Sequence, residues 1–134
     1  MGIDIVGLDH VQVVMPLGRE AEACAFYAGV LGLREVEKPA PLAARGGCWF
    51  EGPGTIIHVG AEGEFAAARR AHPALLVRDL EAARAHLAAA GAVLTPDDSL
   101  PDVRRFYTAD PFGNRVELIQ AEDGFSRRGR NGRE

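Results

Sequence analysis

Four side chains in this 134-residue sequence have the chemistry and the placement to hold a metal ion: His10, His58, His72 and Glu117. Each falls in a short apolar run that reads as a strand: D-H-V-Q-V-V, T-I-I-H-V-G, A-H-P-A-L-L-V and N-R-V-E-L-I-Q. Imidazoles and carboxylates set into such runs are costly unless something satisfies them. One divalent cation satisfies all four together. The set divides into two pairs of similar spacing, 48 residues from His10 to His58 and 45 from His72 to Glu117. That pairing points to a duplicated module with one shared site. Imidazole nitrogen and carboxylate oxygen suit zinc, iron, manganese, nickel or cobalt, with positions left open for water and substrate. Taken singly, each histidine reads as a satisfied strand residue and Glu117 as a solvated edge carboxylate. The coincidence at matching module positions is what favours the metal.

The elements that must position these residues follow from periodicity. Residues 8–15 alternate, with His10, Gln12 and Val14 on one face of a strand and Val11, Val13 and Met15 on the other. Residues 19–31 carry Ala23, Phe26, Tyr27 and Val30 at helical spacing, and Gly32 ends the helix. Strands are expected at 33–37, 48–51 and 55–60, the last two joined by the Gly52-Pro53-Gly54 turn. The same order then recurs. A strand at 72–77 precedes a helix capped by Asp79 and running to about Ala90, with Leu80, Ala83, Leu87 and Ala90 as its buried stripe. Strands at 92–95, 104–108 and 115–120 follow, the last two linked by the tight turn Asp110-Pro111-Phe112-Gly113-Asn114, in which Gly113 and Asn114 suit positive φ. Residues 61–71 read as a connector with a helical turn, and 121–134 as a polar, frayed tail. His86 falls off its helix's apolar stripe and is expected at the surface.

Composition bounds the rest. A hydrophobic fraction of 47% and a charged fraction of 25% are ordinary for a soluble globular chain, and the length fits one domain. The net charge of −4 and few aromatics argue against nucleic acid as a partner. No run is long and apolar enough to cross a bilayer. Asp4 and Asp9 interrupt the N-terminal apolar residues, so no signal peptide is expected and the cytoplasm is the default location. Cys24 and Cys48 have no short metal-ligand spacing and read as small buried residues. Ser99 and Ser126 sit in no nucleophile motif.

Four strings carry a resemblance: L-D-H-V-Q-V, F-Y-A-G-V-L-G-L, H-P-A-L-L-V-R-D-L and, most specifically, D-P-F-G-N-R-V-E-L-I. From about Val6 to Gln120 the chain resembles the vicinal oxygen chelate superfamily, which includes glyoxalase I, bleomycin-resistance proteins, fosfomycin-resistance enzymes and extradiol dioxygenases. The resemblance implies an α+β fold of two βαβββ modules, about residues 6–60 and 72–120, forming a cupped mixed sheet with helices on the outer face. It implies a divalent metal held by His10, His58, His72 and Glu117, with Glu117 also the candidate proton-transferring base. Gln12, Phe50, Arg104 and Phe106 are expected around the site, and Arg45, Arg104 and Arg105 are candidates for an anionic substrate group. The implied activity is a lyase, isomerase or dioxygenase acting on a small oxygenated molecule chelated through neighbouring oxygens, in a homodimer whose sites can form between chains. The alternative it implies is a bleomycin-resistance-like protein that sequesters a ligand without metal. One position departs from glyoxalase I, where glutamate or glutamine stands in place of His58.

Overall fold

The computed structural model describes residues 2–122; the expected frayed tail lies almost wholly outside them. Strand β1 (Val11–Pro16) leads into helix α1 (Glu20–Cys24), which continues as a π-helical stretch (Ala25–Val30). Strand β2 (Arg34–Val36), the short helix α2 (Ala40–Ala43), and strands β3 (Cys48–Gly52) and β4 (Thr55–Glu62) complete the first module. The second runs β5 (Ala74–Val77), α3 (Leu80–Ala89), β6 (Leu94–Pro96), β7 (Arg105–Ala109) and β8 (Arg115–Gln120). The fold is α+β, two βαβββ modules, each with its own four-stranded mixed sheet. The strand orders are β1-β4-β3-β2 and β5-β8-β7-β6. In each sheet the first strand pairs in parallel with the last, and the other pairings are antiparallel.

Helix placement follows the apolar spacing. Ala23, Phe26 and Tyr27 are buried, and Tyr27 stacks on Phe50 of β3 with ring centroids 5.4 Å apart. The Asp79 side chain caps α3 by accepting from the Ala82 amide at 3.0 Å. Leu80 and Leu87 are buried, but Ala90 is exposed, because it lies past the last helical turn. Residues 65–68 contain no helical turn; β4 instead continues to Glu62. Pro39 and Pro41 start a helical turn, α2, rather than only interrupting a strand, since proline suits a first helical position. Gly47 has φ +87°, and a Cβ there would meet the Val59 carbonyl at 2.2 Å, so β3 can begin against β4 only with glycine.

The two modules share one core, and polar groups join them. Asp110, in the turn before β8, is buried. Its carboxylate accepts from the Tyr27 hydroxyl at 2.7 Å, from the Phe112 and Asn114 amides at 2.9 Å, and from Asn114 Nδ2 at 2.8 Å. Asn114 Nδ2 also donates to the Val14 carbonyl of β1 at 2.7 Å. Gly113 takes the positive φ of this turn, whereas Asn114 does not; its side chain serves these bonds instead. His86, exposed on α3, donates to the Val30 carbonyl at 2.8 Å. Burial, then the Asp110 charge, pushes the Tyr27 phenol far above its ordinary range. Tyr27→Phe removes one donor from a buried carboxylate and should cost about 1–3 kcal/mol in urea unfolding. An unchanged midpoint and slope would show that Asp110 does not need the Tyr27 donor.

Candidate functional site

Parallel pairing sets each candidate ligand beside its mate. In the first sheet Gln12 lies opposite His58, and in the second Ala74 lies opposite Glu117. His10 and His72 were expected within strands but lie just ahead of β1 and β5, where the chain leading into each strand still brings them to the later candidate ligand of the same module. The His10 and His58 rings stack with centroids 4.0 Å apart. His72 Nε2 lies 2.9 Å from Glu117 Oε1. The four do not meet within one chain. Among the described residues no three of them bring ligand atoms within 4.8 Å of one another. The reason is topological: each pair belongs to a separate sheet, and no strand pairing joins the sheets.

Hydrogen bonds fix which ring nitrogens are free. His10 Nδ1 donates to the Asp9 carboxylate at 2.7 Å, and Nε2 takes no part in that bond. His72 Nδ1 donates to the Arg70 carbonyl at 2.5 Å, while its Nε2 faces a carboxylate oxygen. Carbonyl and carboxyl oxygens facing one imidazole call for a proton on each nitrogen, a proton on the carboxyl, or a cation between Nε2 and the carboxylate. An Nδ1 bond to a carbonyl or carboxylate is also the usual support of a metal-binding histidine. His58 is 8% exposed and stacks on Trp49 at 3.9 Å on one side and on His10 on the other. Burial, then the neighbouring His10, lowers its pKa below the ordinary 6.5, so the ring is neutral at physiological pH.

Glu117 is 5% exposed and has a second partner, Arg105 Nη1, 3.5 Å from Oε2. Arg105 also bonds Asp97 and Ser99, each at 3.1 Å, and its Nε is buried without a partner. Tyr107 lies opposite Glu117 on β7, its ring edge-on to His72 at 5.4 Å. The second-module face therefore carries His72, Glu117, Arg105 and Tyr107.

Several expected lining residues lie elsewhere. Phe50 is fully buried against Tyr27, and Phe106 is fully buried with Arg84 of α3 over its ring at 4.7 Å. Both face the helices. Arg104 is exposed and pairs with Glu81 of α3 at 3.3 Å. Gln12 is exposed on the His58 face, and Arg45 is exposed before β3. The physical reason is register: moving along a strand by one residue exchanges faces, so Trp49, Arg105 and Tyr107 stand where Phe50, Arg104 and Phe106 were expected. A cleft of about 330 Å³ lies between the first helical segment and the Asp110 turn. It is lined by Phe26, Val30, Val93 and Pro111 among others, and contains none of the four candidate ligands.

The comparisons agree with this architecture. The profile of the Glyoxalase-like domain family matches residues 12–119. The chain belongs to this family, within the vicinal oxygen chelate superfamily. A Bacillus anthracis protein assigned to the glyoxalase family is 45% identical, with TM-score 0.86 over 91% of this chain and all of that one. Two more distant structures share the fold. One is a variant of the fosfomycin resistance protein FosX from Listeria monocytogenes, complexed with Mn(II) and a dihydroxypropylphosphonic acid, at 17% identity and TM-score 0.74. It covers 90% of this chain and 95% of its own. The other is a glyoxalase/dioxygenase from Nostoc punctiforme, at 22% identity, TM-score 0.67, covering 84% and 90%. No curated protein matches the chain. No helix among the described residues is long and apolar enough to cross a membrane.

The lowered His58 pKa has a sign that can be tested. Between the ordinary 6.5 and the lower folded value, the unfolded chain binds the proton that the folded one excludes. Stability is therefore full above about pH 6.5 and falls as pH drops below it. Denaturation midpoints of chelator-treated protein at about pH 7.5 and 5.5 should fall less in His58→Gln than in wild type. Equal falls would mean that His58 keeps its ordinary affinity for protons.

Proposed function

We propose that this protein is a metal-dependent enzyme of the lyase, isomerase or dioxygenase type, acting on a small molecule chelated through neighbouring oxygens. Its metal is held by His10 and His58 of one copy and His72 and Glu117 of a second. The carrying observation is the His72 ring, whose Nδ1 is committed to a carbonyl while its Nε2 points at a carboxylate. That donor set fits a borderline divalent cation better than it fits two acceptors alone.

The second copy is argued from surfaces. Strands β1 and β5 are the outer strands of their sheets, and each lies next to a ligand pair. Residues 2–10 form no regular element, and Ile3, Ile5, Val6 and Leu8 are exposed, Val6 by 96%. Exposed apolar side chains beside open strand edges favour pairing with another chain. A two-fold arrangement joining β1 of one copy to β5 of the other juxtaposes the two half-sites twice per dimer.

A divalent cation held by His10, His58, His72 and Glu117 would supply Lewis acidity to a substrate oxygen. Arg105, whose Nη1 lies 3.5 Å from Glu117, would favour an anionic or electron-rich oxygen there through its charge. Glu117 would bind the ion through one carboxylate oxygen and would serve as the proton-transferring base. Trp49, stacked against His58, holds that imidazole's plane. A second reading, a metal-free ligand-sequestering protein, draws support from the ion pair at Glu117, whose charge Arg105 balances without any metal.

Purified protein should sediment as a dimer and bind about one Mn(II), an ion with little affinity for thiolates, per chain, a binding lost in His72→Ala and in Glu117→Gln. Mixing His10→Ala with Glu117→Gln and allowing subunits to exchange should restore about a quarter of the sites, because half the dimers are mixed and each of those has one intact site. Absence of Mn(II) uptake by both wild type and mixture would favour the ligand-sequestering reading. Activity is then sought with methylglyoxal–thiol adducts, catechols and fosfomycin.

A further inference from the structure

The helix-packed side of the first sheet carries a second cluster of metal-type donors, unrelated to the histidine pairs. Cys24 ends α1, Glu35 sits at the centre of β2, and Cys48 opens β3. Cys24 Sγ lies 3.8 Å from Cys48 Sγ and 3.2 Å from Glu35 Oε2. One ligand atom from each of the three falls within 4.8 Å of the other two. Residues 49 and 58 pair across the strands with their side chains on the opposite face from Cys48, so this cluster and the His58–Trp49 stack lie on opposite sides of the same sheet.

We propose that Cys24, Cys48 and Glu35 form a binding site for a thiophilic divalent cation of the zinc class. The separations are those of a tetrahedral centre. Zinc–sulfur bonds of about 2.3 Å put two thiolates about 3.8 Å apart, and a zinc–oxygen bond of about 2.0 Å puts sulfur and oxygen about 3.5 Å apart. The observed 3.8 and 3.2 Å need only small side-chain rotations. The donors come from three different elements whose backbones are fixed by helix and strand hydrogen bonds, a better scaffold than a loop. Cys48 is buried, Cys24 half-buried and Glu35 exposed, so the cation enters from the Glu35 side, where a water takes the fourth position.

Binding replaces two S–H protons, released to solvent, with two metal–sulfur bonds; no sulfur is oxidised. Burial, then the contact with Glu35, pushes the Cys24 thiol up to about 12, and burial raises Cys48 as well. Without metal both thiols are therefore protonated and poorly nucleophilic at neutral pH. Occupancy rises with pH because the protons must leave. Two thiolates and a carboxylate against a dication leave one net negative charge, which Lys38, whose charge already acts on Cys48, partly offsets. The occupied site would tie the end of α1 to β2 and β3, an effect on stability and not on chemistry.

Cobalt(II) separates this site from the histidine–carboxylate one, because only thiolate ligation gives a strong sulfur-to-cobalt charge-transfer band in the near ultraviolet. The protein is first reduced and both thiols are counted as free by alkylation and mass. One equivalent of Co(II) per chain should then produce the band in a His72→Ala/Glu117→Gln background. In the same background Cys24→Ser, a change at a half-buried position, should lose the band, and Zn(II) should raise the melting temperature with Cys24 present but not with Ser. Glu35→Gln, at an exposed position, should keep the band but take up less cobalt at equal concentration. Absence of a band in the reduced protein, or an equal band in Cys24→Ser, would overturn the proposal. So would a band found in wild type but lost in the His72→Ala/Glu117→Gln background. None of these outcomes depends on whether the chain is an enzyme.

Discussion

A buried carboxylate at a turn organises this molecule. Asp110 is shielded from water, yet it receives four hydrogen bonds, three from its own turn and one from Tyr27, 83 residues earlier in the chain. A charge in such a place is tolerable only when its lone pairs are nearly all used. The same turn sends Asn114 back to the β1 backbone. The two modules therefore meet in one orientation, because another docking angle would strand a charge. The apolar core supplies most of the driving force but has no comparable directional preference.

Given that docking, the sheets present two pairs of candidate ligands built by one rule. The first strand of each module runs parallel to the last, and a histidine two residues before a paired position meets the ligand on its partner strand. Trp49 opposite His58 and Tyr107 opposite Glu117 extend the parallel, an aromatic ring flanking the later ligand in each half. The halves differ in charge. One is a stack of rings; the other sets His72 beside the Glu117–Arg105 ion pair. Such asymmetry suits a centre that needs neutral nitrogen donors on one side and a carboxylate with a nearby cation on the other. The fold itself is shared by proteins named for different chemistries, so the distinction among activities rests on these side chains and not on the scaffold.

Much of the fold was legible because periodicity and punctuation agreed. The Asp79 cap, the Ala23-Phe26-Tyr27 stripe, the Gly52-Pro53-Gly54 turn and the strand at 115–120 all announce themselves locally. The facing of Glu117 could also be read, since Val116 and Leu118 on either side of it must turn inward. Its neighbours could not. The run Cys48-Trp49-Phe50 is apolar throughout, and Arg104-Arg105-Phe106-Tyr107 doubles each residue type, so neither shows the alternation that reveals a face. The available signal was indirect: once Glu117 faces outward, its cross-strand partner Tyr107 must too, and Arg105 with it.

By itself, then, the sequence determined which residue types could bind a cation, the order of elements, and the repeated module, because these depend on local chemistry and on spacing along a chain. Only the tertiary structure decided that the four candidate ligands divide between two sheets, that Arg105 and not Arg104 stands beside Glu117, and that two cysteines 24 residues apart come within 3.8 Å of each other beside a glutamate. Those outcomes depend on strand register and on which sheet edges pair. Both are set by cooperative packing across the whole core, where a shift of one residue exchanges every face while leaving each local segment equally content.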